Sequence, residues 1–190
     1  MSLVLKKASK EAINYACKKF HYSHSVPVNS VGYSVFNDDK FCGVIIYGRG
    51  ANNNLAKSFG LKQGEVIELV RVALNGEQGI TSKAVAISLK LIKKDVPLAK
   101  LIVSYADEAQ GHKGTIYQAT NWVFVGDSIA QSAIDPEDGK VKHTRILHSK
   151  YGSIKGFKTV TDKPKHKYLY ALDKTLVDLC KSQSKPYPKK

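Results

Sequence analysis

The chain has 190 residues, of which 43% are hydrophobic and 24% are charged, and its formal net charge at pH 7 is +14. This length suits one domain with a full hydrophobic core rather than two independent domains. No apolar stretch reaches the roughly 20 residues that a transmembrane helix needs, so we expect a soluble, cytoplasmic protein without membrane contact. The N-terminus carries its lysines after its short apolar part, which is the wrong order for a secretory signal peptide.

Elements predicted in the first half of the chain combine one helix, a hairpin and a strand–loop–helix unit. Ser9 is placed to cap the first helix. The segments up to residue 95 are a helix at 9–19, strands at 33–35 and 41–47 joined by a turn at 37–40, a strand at 65–74 and a helix at 83–95.

Strands and helices continue to alternate after residue 100. The later segments are a strand at 101–105, a short helix at 113–121, a strand at 122–125, a loop at 127–140, strands at 143–147 and 167–172, and a closing helix capped by Asp173. Such alternation indicates an α+β (mixed α/β) fold with a central mixed sheet flanked by helices. We expect a domain at 1–140, a basic extension packed on it at 141–180 and a disordered tail at 181–190.

Positive charge is concentrated in the last quarter of the chain. From Lys140 to Lys190 there are 14 basic and 3 acidic residues, whereas the first 139 residues carry a net charge of only +3. Lysines near phosphates release counterions, and interleaved aromatic residues favour nucleic acid over a membrane surface. A solubilising tail is the alternative. The candidate DNA-binding residues are Lys155, Lys158, Lys165 and Lys167.

The loop from Asn75 to Ser82 is a candidate anion site, because uncommitted backbone amides there precede the positive end of a helix. An ordinary strand-to-helix turn is the alternative. Arg71, on the strand leading in, could support a phosphate or a structural carboxylate. The candidate cofactor-binding residues are Arg71, Gly76, Gly79, Ser82 and Ser88.

Asp107 follows an apolar strand and precedes a glycine-rich bend, so its carboxylate should lie at the edge of the sheet where ligands collect. It could act as a base, orient a nucleophile or bind a metal; a turn-capping aspartate is the alternative. Tyr117, one helical turn further on, could offer its phenol to the same cavity. His21 and Tyr22 lie together in a loop. His21 and Asp107 could supply part of a metal site.

Several segments between about His21 and Gly126 carry a resemblance to a known family. They are Phe20-His21-Tyr22-Ser23-His24, the strand from Phe41 to Gly48, Glu68-Leu69-Val70-Arg71-Val72, Ile87-Ser88-Leu89, Val103-Ser104-Tyr105-Ala106-Asp107 and Gly111-His112-Lys113-Gly114-Thr115-Ile116-Tyr117-Gln118-Ala119-Thr120-Asn121-Trp122. Together these segments resemble the Mom family of bacteriophage DNA-modification proteins.

The resemblance implies a GCN5-related N-acetyltransferase-like fold, in which the loop at 75–82 would cradle the pyrophosphate of acetyl-coenzyme A or of another group donor. It also implies modification of adenine in double-stranded phage DNA, giving a carbamoylmethyl adenine that resists host restriction in the bacterial cytoplasm. The family is linked to iron. Its active-site residues correspond to His21, Tyr22, Asp107 and Tyr117, with His21 and Asp107 as the candidate metal ligands.

Two alternatives remain open from the sequence. One is an acyl-coenzyme A-dependent N-acetyltransferase that acts on a protein or a small molecule, since it would share the fold. The other is a non-catalytic DNA-binding protein. A homodimer is left open as a further partner.

Overall fold

The computed structural model describes residues 2–28, 30–50, 54–129 and 131–188. The helices are α1 Lys10–Phe20, α2 Thr81–Asp95, α3 Thr115–Gln118, α4 Thr144–Tyr151 and α5 Val177–Ser182. The strands are β1 Leu3–Lys7, β2 Val31–Asn37, β3 Lys40–Gly48, β4 Val66–Leu74, β5 Leu101–Asp107, β6 Val123–Ser128, β7 Gln131–Ile134, β8 Val141–His143, β9 Thr159–Thr161 and β10 Lys165–Ala171. In the described part of the chain, none of the helices has the length and apolar character that crossing a bilayer requires.

Seven strands form a central sheet in the order β1-β2-β3-β4-β5-β10-β6. Neighbouring strands are antiparallel except β4 and β5, which run parallel. A parallel pair needs a long crossover connection, and α2 supplies it. The predicted mixed sheet with flanking helices is therefore confirmed, and β1 is an edge strand that the sequence analysis did not include.

Alternate residues of the central strands face two different helical layers. Ile45 and Tyr47 of β3 belong to the core cluster that includes α2 and α3. Val44 and Ile46 pack instead with Cys17 of α1. This is the two-residue period of a β-strand. The sheet is therefore covered by α1 on one face and by α2 and α3 on the other.

The sheet opens into a fork between β4 and β5. Their pairing covers only Val66 to Glu68 and Leu101 to Val103, although both strands continue beyond it. Opposite β3, the register of β4 skips Val70, because Ile46 pairs with Arg71 and Tyr47 with Leu69. An extra residue of this kind is a β-bulge, which bends its strand. The bulge therefore lies just beyond the last β4–β5 pair, where the two strands separate.

The section after residue 140 contributes directly to the central sheet. β10 lies between β5 and β6, and Tyr168 and Leu169 are fully buried there. The predicted boundary at residue 140 therefore does not separate two units, because a strand with buried side chains on both faces cannot be an appendage. The segment between β6 and β10 forms a small second sheet, in the order β8-β7-β9, against which α4 packs.

Two predicted elements in this small sheet are wrong. The strand predicted at 143–147 is mostly α4, because the His143 side chain accepts a hydrogen bond from the Arg145 backbone amide and caps a helix. The loop predicted at 127–140 contains the end of β6 and all of β7.

The C-terminal segment is attached to the edge of the central sheet. The Lys185 amide donates to the Phe124 carbonyl at 2.8 Å, and the Tyr187 hydroxyl donates to the Trp122 carbonyl at 2.7 Å. This differs from the disordered tail predicted at 181–190, because these two bonds attach the segment to β6 and to the residue that precedes it. Residues 189 and 190 lie outside the described residues.

The small sheet is organised around the carboxylate of Asp135, which is fully buried. It accepts hydrogen bonds from Lys142 Nζ at 2.7 Å and Lys150 Nζ at 3.1 Å, and from the Tyr151 hydroxyl. These bonds, led by those from Lys142 and Tyr151, hold the pKa of Asp135 well below its usual range. One carboxylate therefore joins β7, β8 and α4.

We predict that Asp135→Asn lowers the thermal midpoint at pH 7 by about 5 °C or more, because the buried side chain loses its charge-assisted hydrogen bonds with Lys142, Lys150 and Tyr151. A carboxylate whose pKa is depressed by folding stabilises the protein above its unfolded pKa of about 3.9, and this contribution declines as the pH falls towards the folded value. The difference in thermal midpoint between Asp135→Asn and the wild type should therefore be smaller at pH 3 than at pH 7. Thermal unfolding followed by circular dichroism measures both midpoints. Asp178→Asn, at an exposed position of α5, is the control; equal midpoints for all three proteins at pH 7 would contradict the role of Asp135.

Candidate active site in the fork between β4 and β5

A cavity of about 850 Å³ opens in the fork. Its walls come from the free arm of β4, the end of β5, the chain that follows α1, and α3. Because α1 and α3 cover opposite faces of the sheet, the cavity connects the two faces through the fork. Six residues predicted from the sequence line it, namely His21, Tyr22, Arg71, Asp107, Tyr117 and Lys165.

Asp107 is the last residue of β5 and stands where the strand turns. Its Oδ1 accepts a hydrogen bond from the Ala109 amide at 3.0 Å, which caps the turn that follows. Its Oδ2 accepts one from the Tyr22 hydroxyl at 3.2 Å and is 3.1 Å from Lys165 Nζ. Three separate chain segments therefore fix the orientation of this carboxylate, which caps a turn and also lines the cavity.

The net effect of these contacts is to keep Asp107 ionised. Burial by itself would raise the pKa of Asp107, but the hydrogen bond and charge of Lys165 and the bonds from Ala109 and Tyr22 outweigh it and lower the pKa. A carboxylate of this kind is a weak base and a strong hydrogen-bond acceptor. Asp107 is therefore suited to orienting a donor group and to stabilising positive charge.

The chain leaving α1 places two aromatic rings beside Asp107. His21 stacks on Tyr22 with ring centroids 4.3 Å apart, and His112 meets the edge of Tyr22 at 6.1 Å. Burial and then the charges of Arg71, His112 and His24 lower the pKa of His21 to about 4, so its imidazole is neutral at pH 7. Partial burial and the Asp107 charge raise the pKa of Tyr22, which stays a hydrogen-bond donor.

Tyr117 connects α3 to the fork. Its hydroxyl is 2.8 Å from Ser104 Oγ, which is itself 2.8 Å from the Leu69 carbonyl oxygen. The Ser104 hydroxyl therefore bridges β5 to β4 just beyond the last backbone pair. Burial raises the pKa of Tyr117 to about 12. The phenol remains protonated and anchored in the wall of the cavity.

Ser104 and His112 were not singled out from the sequence. Ser104 is fully buried in the apolar strand β5, and a polar residue at such a position was the available signal. His112 lies in a glycine-rich turn, where sequence alone gives no indication of its contact with Tyr22.

Arg71 lies on the side of the cavity near α1 and holds the bulge in place. Its Nη1 donates to the Val70 carbonyl at 2.7 Å and its Nη2 donates to Ser25 Oγ at 3.0 Å. Its Nε is buried and has no hydrogen-bond partner among the described residues. The structure therefore places Arg71 beside His21, not at the loop that follows β4.

The remaining predicted cofactor residues lie outside the described lining of the cavity. Gly76 and Gly79 have positive φ angles of 95° and 72°, which glycine adopts without strain. The Gly76 amide is already bonded to the Gln78 side chain. Ser88 is fully buried and bonded to the Tyr47 hydroxyl at 2.7 Å, so it is a core residue and cannot contact a cofactor directly.

The start of α2 fits an anionic group better than the loop itself. Its cap residue, Ile80, contributes no side-chain hydrogen bond, so the amides of the first turn, which includes Ser82, lack a side-chain acceptor at the cap. Such amides attract phosphate. Leu74, at the end of β4, is the last residue before this loop that lines the cavity.

The described residues do not fit an iron site. Among residues 2–28, 30–50, 54–129 and 131–188, no group of three or more histidine, cysteine or acidic side chains is arranged to hold a metal ion. His21 Nδ1 is 2.9 Å from Ser23 Oγ, and Asp107 is paired with Lys165. A lysine ammonium opposes a cation at that carboxylate. The prediction that His21 and Asp107 form part of a metal site therefore finds no support in this geometry.

The four predicted DNA-binding lysines divide into two pairs. Lys155 and Lys158 are exposed between α4 and β9. Lys165 faces Asp107 in the cavity. Lys167 lies over the Phe59 ring at 4.8 Å, and burial lowers its pKa. Lys155 and Lys158 are therefore exposed and outside the cavity lining, whereas Lys165 and Lys167 are engaged within the protein.

We predict that Lys165→Met raises the pKa of Asp107, because it removes a hydrogen bond and a positive charge that lower it. Lys167→Met, two positions along the same strand, should leave that pKa unchanged. The measurement is a carbon-13 NMR titration of the aspartate carboxyl groups. A titration of Asp107 that is identical in Lys165→Met and the wild type would contradict the observed pairing.

The model of the Mom protein family matches residues 2–189. The methylcarbamoylase Mom of Escherichia phage Mu is 30% identical over 142 residues, which cover 72% of this chain and 58% of that relative. The match thus spans little more than half of the length of the relative.

Solved structures with a similar fold are acetyltransferases. A Bacillus subtilis acetyltransferase in complex with CoA has a TM-score of 0.53 and 10% identity, covering 90% of this chain and 99% of that one. AAC(6')-Ib in complex with ribostamycin and coenzyme A has a TM-score of 0.55 and 11% identity, covering 90% and 94%. At such identities the similarity concerns the fold, and the predicted acetyltransferase-like fold is confirmed.

The family match covers nearly the whole chain and therefore spans the residues that line the fork. The chain belongs to the Mom protein family.

Proposed function

We propose that this protein is a transferase that modifies adenine in double-stranded phage DNA, placing a carbamoylmethyl group on the exocyclic amine. The modification would protect the genome from restriction in the cytoplasm of the bacterial host. The main support is the carboxylate of Asp107, held ionised at the wall of a cavity large enough for a nucleotide base, in a chain of the Mom family. Its volume is within the range of ligand pockets in general.

Asp107 can accept one further hydrogen bond. A carboxylate has about four acceptor positions, and the described contacts use two at Oδ2 and one at Oδ1. The remaining position at Oδ1 suits an N–H of the adenine amine. Reaching this position requires that the base leave the duplex, because its amine lies within the base stack.

The chemistry of the amine explains why an ionised carboxylate is useful. The lone pair of the adenine amine is delocalised into the ring, so the amine is a poor nucleophile. As the nitrogen attacks the carbamoylmethyl carbon, the bond from that carbon to its carrier breaks and positive charge develops on the nitrogen. A fixed carboxylate stabilises this charge. The proton is then lost to Asp107 or to water.

The aromatic side chains around Asp107 supply the rest of the adenine site. The neutral His21 ring and the Tyr22 ring present flat faces at the entrance, and bases stack on such faces with about 1–3 kcal/mol each. Tyr117 lines the cavity, and its hydroxyl is held by the buried Ser104 hydroxyl behind it. The donor would approach from the α2 side, with an anionic group at the first turn of α2.

The second candidate is an acyl-coenzyme A-dependent N-acetyltransferase that acts on a protein or small molecule. The observation in its favour is the fold shared with acetyltransferases whose structures contain coenzyme A. Binding of acetyl-coenzyme A together with indifference to DNA would support it.

Expression of the wild-type protein in a bacterium should produce a modified deoxyadenosine in plasmid DNA, detected by mass spectrometry of the nucleosides. We predict that Asp107→Asn reduces the modified fraction of deoxyadenosine by about 100-fold or more, because the transition state loses the carboxylate charge that stabilises the attacking amine. Asp178→Asn, the control, should give the same modified fraction as the wild type.

Thermal unfolding should confirm that Asp107→Asn folds. Undiminished modification by folded Asp107→Asn would remove Asp107 from the mechanism, and unmodified adenine with the wild-type protein would favour the acetyltransferase.

A further inference from the structure

The small sheet presents an exposed corner at the entrance of the cavity. We call this the β8–α4 corner and define it by Val141, His143, Arg145 and Ile146. His143 lines the cavity, and Val141 and Ile146 are 56% and 57% exposed. Two large aliphatic side chains are thus exposed next to a histidine that faces the candidate active site.

The strand and helix geometry places these side chains on one surface. Along β8, Lys142 points inward to the buried Asp135, so its neighbours Val141 and His143 point outward. His143 is the cap of α4 and Ile146 is its third helical residue. Side chains at these two positions are adjacent, as in a capping box.

The corner is rigid although its outer side chains are exposed. Leu147, next to Ile146 on α4, is fully buried. Lys142 and Lys150 are both paired with Asp135, which ties the strand to the helix. A rigid element can hold an apolar side chain in a fixed position relative to the cavity without losing much conformational entropy on binding.

A protein that withdraws a base from duplex DNA leaves a gap in the stack, and apolar wedges are one means of filling such a gap. We propose that the β8–α4 corner is the surface that enters the duplex beside the target base, with Ile146 as the wedge that fills the gap left by the adenine. The inference rests on the proposed function and specifies how the substrate is recognised.

The positive charge around the β8–α4 corner suits duplex DNA as the partner. Arg145 is exposed beside Ile146, and Lys155 and Lys158 are exposed on the chain that follows α4. Of the acidic residues around the small sheet, Asp135 and Glu137 are paired with Lys150 and Asp138 with Lys142, and Asp162 accepts a hydrogen bond from the Ser132 hydroxyl. The surface next to the wedge can therefore bind phosphates, with Arg145 as the contact nearest to the apolar side chain.

The test measures opening of base pairs directly and needs no group donor. Purified full-length protein is mixed with supercoiled plasmid DNA and treated with permanganate, which oxidises thymines that are unstacked. Sequencing then maps thymines that lost their paired adenine. We expect reactive thymines with the wild-type protein and at least tenfold fewer with Ile146→Ala.

Leu98→Ala is the matched control. Leu98 is 73% exposed and precedes β5, whereas the cavity lies at the opposite end of that strand. This variant should match the wild type in the permanganate assay. Arg145→Gln should bind the plasmid more weakly. The slope of its log binding constant against log salt concentration should be less steep by about one, because one phosphate contact is lost.

Modified deoxyadenosine is measured for the same variants expressed in a bacterium, so that the two hypotheses can fail separately. Ile146→Ala with as many reactive thymines as the wild type would overturn the wedge, whatever the modification shows. No reactive thymines with the wild-type protein would also overturn it. Reactive thymines that depend on Ile146, without any modified adenine, would support the wedge and contradict the proposed chemistry.

Discussion

The separation of β4 and β5 is the constraint on which the site depends. The two strands pair over only three residues each, and the bulge at Val70 bends β4 just beyond that pairing. Ser104 and Arg71 satisfy carbonyl groups on the arm of β4 near the bulge, which stabilises the open form. A continuous ladder between these strands would fill the space that the cavity occupies.

The fork also explains how distant segments of the chain meet. The end of β5 presents Asp107, β10 brings Lys165 to it, and the chain leaving α1 adds Tyr22. Because the cavity connects both faces of the sheet, the proposed DNA substrate and group donor would reach the same carboxylate from opposite sides. This arrangement suits a Mom-family protein that would have to join a large polyanion to a small donor.

Local sequence patterns predicted much of the fold. Ser9 and the apolar spacing after it predicted α1, and the apolar strand ending at Asp107 predicted the position of its carboxylate. The order of the strands across the sheet could not be predicted from local sequence patterns. Nothing in the basic sequence around Lys165 indicates that β10 inserts beside β5, so its pairing with Asp107 depends on tertiary contacts.

The errors have a similar origin. The strand predicted after residue 142 is a helix, because the His143 side chain caps it and the buried Asp135 organises the residues around it. Ser88 appeared on a helix next to the candidate donor loop, yet its face points into the core towards Tyr47. Amphipathic spacing predicts that a helix has a buried face but does not identify which polar residue is bonded within it.

The most direct test is a crystal structure of the Asp107→Asn protein bound to an unmodified DNA duplex that contains the target sequence found by mapping the modified adenines. We predict that one adenine is turned out of the duplex into the fork, with its exocyclic amine within hydrogen-bond distance of the residue 107 side chain. Adenine left stacked in the duplex, or DNA bound on a surface remote from the fork, would contradict it.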